Sequence, residues 1–229
     1  MADLKPPLLR GAIVQLIEDL GFVAPNIITF QYNPAKVTRN MKPWNPFEVD
    51  PSKRAATASQ AAPFDPEETY QFTLELDASN DIDIENPIAI GTGIASRIAA
   101  LQKLIMPTKG LIGDLVGAAQ ALAGKQNTAQ VEVKKVPLAL FVLGAGLILP
   151  VRVTSLTVEI NEFNALLYPL MANVQLELRV LTPEAFKCKN SVAGDFAKAA
   201  YEFTRLQEDA LAILNIANSV VDARSMLPF

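Results

Sequence analysis

Histidine is absent from this chain, and cysteine occurs once, at Cys188. Without imidazole there is no Ser-His-Asp triad and no Cys-His dyad, and one thiol is too few for a zinc site of the Cys/His type. A lone cysteine forms no intrachain disulfide, which fits a reducing cytoplasm. Neither sign of charge dominates. Twenty Lys and Arg against 24 Asp and Glu leave a net −4, which gives no electrostatic reason to bind along a phosphate backbone. Nucleic acid is therefore not an expected partner. The N-terminus, Met1-Ala-Asp-Leu-Lys-Pro-Pro, lacks the basic stretch and apolar core of a secretory signal. The longest nearly uncharged apolar run, Val136 to Val151, is broken by Pro137, Gly144, Gly146 and Pro150. It falls short of the ~18 residues of a spanning helix. No membrane insertion is expected, and the run reads as two buried strands around a Gly-rich turn.

Apolar residues are plentiful. Half of the 229 residues are hydrophobic and only 19% are charged, enough for a sizeable core with apolar surface left over for an oligomer. Strand patterns dominate. Tyr70, Phe72, Leu74 and Leu76 alternate with Gln71, Thr73 and Glu75; Leu156, Val158 and Ile160 alternate with Thr157 and Glu159. Val174, Leu176, Leu178 and Val180 do the same against Gln175, Glu177 and Arg179. These runs describe a sheet with one buried face. Leu8 to Leu20 suits a short helix or a strand, and Ile27 to Tyr32 a strand stopped by Asn33-Pro34.

Helical spacing appears twice among these strands. Ile94, Ile98, Leu101, Leu104 and Ile105 fall on one helical face before Pro107, and a weaker helix is expected from Leu111 to Ala123, after which the sheet resumes at Val131. Near the C-terminus, Phe196, Ala199, Phe203, Leu206, Ala210, Ile213, Ala217 and Val220 step by three and four, a heptad seam over about four heptads. Leu211, Leu214 and Val221 widen it, so the helix could pack on its own sheet or on a neighbouring subunit. The expected class is α+β: an antiparallel β-barrel or sandwich core with inserted helices and a long C-terminal helix. Residues 1–185 form the core, with a Pro-rich loop at 42–66 and a helical insertion at 91–124, and residues 190–229 form the tail.

No catalytic, metal or cofactor site is expected. Asp77, Ser79, Asp81, Asp83 and Glu85 superficially resemble a calcium loop, but Ile82 stands where the turn needs glycine and Ile88 where the bidentate glutamate belongs, which leaves a solvated acidic loop. Gly91-Thr-Gly93 lacks the third glycine and the lysine of a phosphate loop and reads as a helix N-terminus. Gly144-Ala-Gly146 suits a hairpin turn. The pairs Glu67-Glu68 and Glu208-Asp209 read as adjacent exposed acids rather than an opposed catalytic couple. The loop at 42–66 carries five prolines among small residues, so Trp44, Pro46 and Phe47 stand out either as interface anchors or as residues folding back on their own core. Phe196, Phe203, Leu206, Ile213 and Val220 are the matching candidates on the tail.

Ile28-Thr-Phe-Gln-Tyr-Asn-Pro-Ala-Lys-Val37, Tyr70-Gln-Phe-Thr-Leu-Glu-Leu-Asp77, Pro137-Leu-Ala-Leu-Phe-Val-Leu-Gly144 and Val153-Thr-Ser-Leu-Thr-Val-Glu-Ile-Asn-Glu-Phe163, in that order, resemble the contractile injection system tube-protein family. That family includes LysM-bearing adaptors of phage-tail-like particles. The resemblance covers about Ile27 to Leu181. It departs at Leu143-Gly144, where members often carry Trp-Gly, and no LysM module follows; the helical tail stands in its place. The resemblance implies a non-enzymatic structural subunit of an inner-baseplate ring, a hexamer, linking spike or hub and tube to the surrounding baseplate. It also implies assembly in the cytoplasm of a bacterial producer. A tube or tube-initiator subunit is the alternative within that class. From another class, a small-molecule or lipid-binding β-barrel would use Leu138 to Leu149 to line a cavity.

Overall fold

In the computed structural model the described residues are 9–19, 22–43, 64–83, 85–107, 136–187 and 191–226. Their elements run β1 (Ala12–Asp19), β2 (Phe22–Thr29), β3 (Val37–Lys42), β4 (Glu67–Asp77), α1 (Ser79–Asp83), α2 (Pro87–Thr92), α3 (Ala95–Lys103), β5 (Leu138–Val142), β6 (Ile148–Phe163) and β7 (Pro169–Val180). A 3₁₀ turn (Pro183–Phe186) then leads into α4 (Val192–Met226). The seven strands form one antiparallel sheet in the order β2-β1-β5-β6-β7-β4-β3. The α+β class expected from the pattern is the one observed. The expected second helix at 111–123 and the strand start at Val131 lie outside the described residues.

The sheet rolls up without closing. In a flat sheet β5 and β4 would stand three strand spacings apart, about 14 Å. Yet Phe141 of β5 stacks on Phe72 of β4 with ring centroids 5.2 Å apart, and meets Tyr70 at 5.3 Å. Phe30, just past β2, reaches Phe72 at 5.6 Å across a still wider separation in the sheet order. These rings sit in one core with Ile13, Leu149, Val151, Val174 and Leu178. No ladder joins β2 to β3, so the barrel alternative is not formed and the core is a sandwich-like roll. Gln31 bridges the gap with its side chain. Its amide donates to the Asp77 carbonyl at 2.7 Å and accepts from the Asp77 backbone N–H at 3.0 Å, taking the place of a strand partner.

Local chemistry explains the elements. Residues 8–20, open to two readings from sequence, contain the strand β1. In β6 the inward positions switch from odd (Val151 and Val153, buried) to even (Leu156 and Val158, half-buried), because a bulge between Val153 and Ser155 inserts one extra residue. Thr154 sits at that bulge and donates its hydroxyl to the Glu177 carbonyl. The β5–β6 hairpin turns through Gly144 at φ +72°, closed by Leu143 N–H to the Leu147 carbonyl, as the glycines suggest.

Three sequence readings need correction. Ile105 is not on the buried face of α3; the helix ends at Lys103 and Ile105 is exposed, while Ile94, Ile98, Leu101 and Leu104 are buried. The acidic segment is not simply a solvated loop. Asp77 accepts the Ser79 N–H and hydroxyl, α1 follows, and Asp81 pairs with Arg97 of α3. Among the described residues no carboxylates group as metal ligands. Gly91 belongs to the end of α2 rather than to a helix start, and Gly93 makes the corner into α3 at φ +56°, where a Cβ would lie 2.1 Å from the Pro169 carbonyl oxygen.

If the roll depends on the Phe30, Tyr70, Phe72 and Phe141 cluster, Phe141→Ala should lower unfolding stability by about 3–5 kcal/mol. Urea denaturation should show this, with Thr157→Ala on the solvent face within about 0.5 kcal/mol of the parent.

Candidate interaction surfaces

The inward parity of β4 runs Glu68, Tyr70, Phe72, Leu74 and Leu76, so the strand that buries four apolar side chains also buries a carboxylate. Glu68 is 1% exposed. An isolated buried carboxylate is strongly unfavourable, and this one is fully partnered. Arg39 of β3 donates from Nε to Oε1 at 2.5 Å, the Tyr70 hydroxyl donates to the same oxygen at 2.7 Å, and Arg205 of α4 donates from Nη2 to Oε2 at 2.6 Å. Glu208, one helical turn further, receives Arg205 Nη1 at 2.6 Å and Arg39 Nη2 at 2.7 Å. Two guanidiniums thus face two carboxylates, and the cluster is neutral. Arg205 also lies over the Tyr201 ring at 4.7 Å, and the Tyr201 hydroxyl donates to Asp65 at 2.9 Å.

Each group's acidity follows from this packing. Burial pushes the Glu68 carboxyl up, but hydrogen bonds from Tyr70, Arg205 and Arg39 outweigh it and hold the group below its ordinary 4.5. Burial and the Glu68 bond both push the Tyr70 hydroxyl up. Arg205 loses basicity by burial and regains more from Glu208, Glu68 and Tyr201.

This cluster fixes how α4 lies. The helix docks through small or polar residues: Ala193, Ala197, Tyr201 and Thr204 are buried. Thr204 Oγ1 donates to the Ile148 carbonyl at 2.7 Å and accepts the Ile148 N–H at 3.0 Å, capping the start of β6. The seam read from sequence is on another face. Phe196, Phe203, Leu206 and Ile213 are brought together along one stripe of α4 and are all exposed, at 58%, 38%, 69% and 66%. Of the two packing options, its own sheet is taken by a different face. Val220 lies in α4, but its side chain is outside the described residues, as are Trp44, Pro46 and Phe47.

A second apolar surface escaped the sequence reading. The β6–β7 hairpin ends in Phe163-Asn-Ala-Leu-Leu-Tyr168, where Asn164 Oδ1 accepts the N–H groups of Leu166 and Tyr168, each at 2.9 Å. Leu167 holds φ +62°, a conformation strained for a bulky residue, with its side chain 77% exposed; Leu166 is 74% exposed. The available signal was an apolar Leu-Leu-Tyr run where a turn residue belongs. The missed Glu68 had one too, since it continues the inward parity of its strand. It was not an exposed acid, although its neighbour Glu67, paired with Arg179 at 3.2 Å, is.

A polar concavity of about 530 Å³ lies over β3, β4, β7 and β6, lined by residues such as Lys36, Thr38, Gln71, Thr73, Thr157 and Gln175. Phe141, among the strand residues expected to line an apolar cavity, packs in the aromatic core. No described helix is long and apolar enough to cross a membrane.

Glu68→Gln keeps the size but leaves Arg39 and Arg205 with Glu208 as their one shared carboxylate, and should cost about 1.5–3 kcal/mol. The pH dependence has a definite sign. Because the folded pKa is depressed, the Glu68 contribution is complete above the unfolded value near 4.5 and is lost as pH falls through the lower folded value. Urea midpoints below pH 4.5 should therefore fall more steeply for the parent than for Glu68→Gln. No protein-family model matches the chain, and no curated protein matches it.

Proposed function

We propose that this chain is a non-enzymatic structural subunit of a contractile injection system, forming an inner-baseplate ring that links spike or hub and tube to the surrounding baseplate. The observation that carries the reading is the β6–β7 tip. Four apolar side chains, Phe163, Leu166, Leu167 and Tyr168, are held open to solvent on a turn that Asn164 fixes. Ordered, strained and apolar is a combination suited to protein contact, since strain persists where the surroundings over-determine it. The order of the four resembling segments supports the same reading. They fall on the end of β2 and start of β3, on β4, on β5 and on β6, which are parts of one rolled sheet. A ring subunit repeats one heterologous contact around an axis and needs such a surface on a rigid body. A tube or tube-initiator position draws on the same surfaces.

Light scattering on the purified chain should give the mass of a closed ring, six copies on the family resemblance, and negative-stain images should show rings that seat on the producer's own tube protein. Leu166→Ser with Leu167→Asn should keep the thermal midpoint, because Asn tolerates positive φ, yet shift the mass toward 24.8 kDa. A parent that remains a monomer beside its tube protein, or a variant that assembles unchanged, would overturn the reading.

A further inference from the structure

We propose that α4 pairs in parallel with α4 of a second copy of this chain, through the stripe Phe196, Phe203, Leu206 and Ile213. The pairing sets each residue against its own copy, an isologous two-fold contact, so it goes beyond the heterologous contact that repeats around a ring and joins copies that are not ring neighbours. At 100° per residue the stripe lies roughly 150° around the helix from the docked residues Ala193, Ala197, Tyr201 and Thr204. A second helix laid on it therefore meets neither this chain's sheet nor the Glu68 cluster. Past Glu208 every described side chain of α4 through Ile216 is exposed, including Leu211, Leu214 and Ile216. An apolar helix segment of that kind is stable when it is covered.

The area is sufficient for a second copy. Phe196, Phe203, Leu206, Ile213, Leu214 and Ile216 are between 38% and 69% exposed. With two aromatics on the ~150–250 Å² scale of such rings and four smaller aliphatic side chains, they offer roughly 600–700 Å² per copy, inside the ~600–1,000 Å² per partner of a stable interface.

Charge selects the direction. With Phe196 and Phe203 at position a of the heptad and Leu206 and Ile213 at d, position g holds Asp195, Glu202 and Asp209, while e holds Ala200, Gln207 and Leu214. An antiparallel pair sets g against g and places acids side by side. A parallel pair sets each acid beside a neutral e residue of the partner. Arg205 is held by Glu68 and Glu208 and does not reach the seam, and Lys198 pairs with Asp195 at 3.6 Å, so Glu202 and Asp209 are the acids that set the direction.

The test uses the full chain carrying Cys188→Ser. In a parallel pair the two copies of position 206 face each other within disulfide reach. Leu206→Cys should give disulfide-linked dimers under mild oxidation at least tenfold faster than Ala212→Cys, which lies off the seam. Leu206→Asp with Ile213→Asp should abolish the association this seam supports without lowering the thermal midpoint, because both side chains are exposed. Equal or absent cross-linking at the two positions overturns the proposal. A ring of unchanged mass in the double Asp variant rejects helix pairing and leaves the ring standing. A parent that is only a dimer, cross-linked efficiently at position 206, keeps helix pairing and rejects the ring.

Discussion

One buried carboxylate organises this molecule. Glu68 sits at an inward position of β4 with 1% of its surface exposed, and its charge is tolerable only while Arg39, Tyr70 and Arg205 surround it. Those partners come from three elements: the edge strand β3, β4 itself and the C-terminal helix. The same contact therefore holds the end of the sheet and sets the rotation of α4. Breaking it releases a helix rather than a single side chain.

From that rotation follows what the surface offers. With Arg205 and Glu208 held inward, Phe196, Leu206 and Ile213 point away from the sheet. The helix docks through Ala193, Ala197, Tyr201 and Thr204 and leaves those three free. The β6–β7 tip offers apolar surface by another route, through a side-chain amide that satisfies two backbone N–H groups and keeps Leu167 in its strained conformation. Both surfaces project from a roll whose interior is filled by interlocking rings. This division between a rigid core and exposed apolar projections is what favours the reading as an assembly subunit.

Much of the fold was legible from residue patterns. Alternation located β4 and β7, paired glycines located the β5–β6 turn, and four of the five apolar residues assigned to the α3 face are buried. The change of phase in β6 became interpretable only with its bulge, because periodicity does not show where an extra residue is inserted. What escaped was chosen by tertiary contact. Hydropathy marks Phe196 and Leu206 as a buried face, yet docking selects Ala193, Ala197, Tyr201 and Thr204, the last two through hydroxyl bonds to Asp65 and Ile148. Glu68 looked like half of an exposed acidic pair because nothing in β4 announces partners located at residues 39 and 205. Sheet closure was undecidable for a similar reason: the Gln31 bridge to Asp77 spans 46 residues.

The central claim is that Glu68 and Arg205 act as a coupled pair that docks α4. A double-mutant cycle of Glu68→Gln and Arg205→Met, read by urea unfolding together with hydrogen exchange across residues 193–208, tests it most directly. The account requires a coupling energy of about 2 kcal/mol or more, with exchange protection in α4 lost in either single variant. Additive effects within about 0.5 kcal/mol, with α4 protection unchanged, would contradict it.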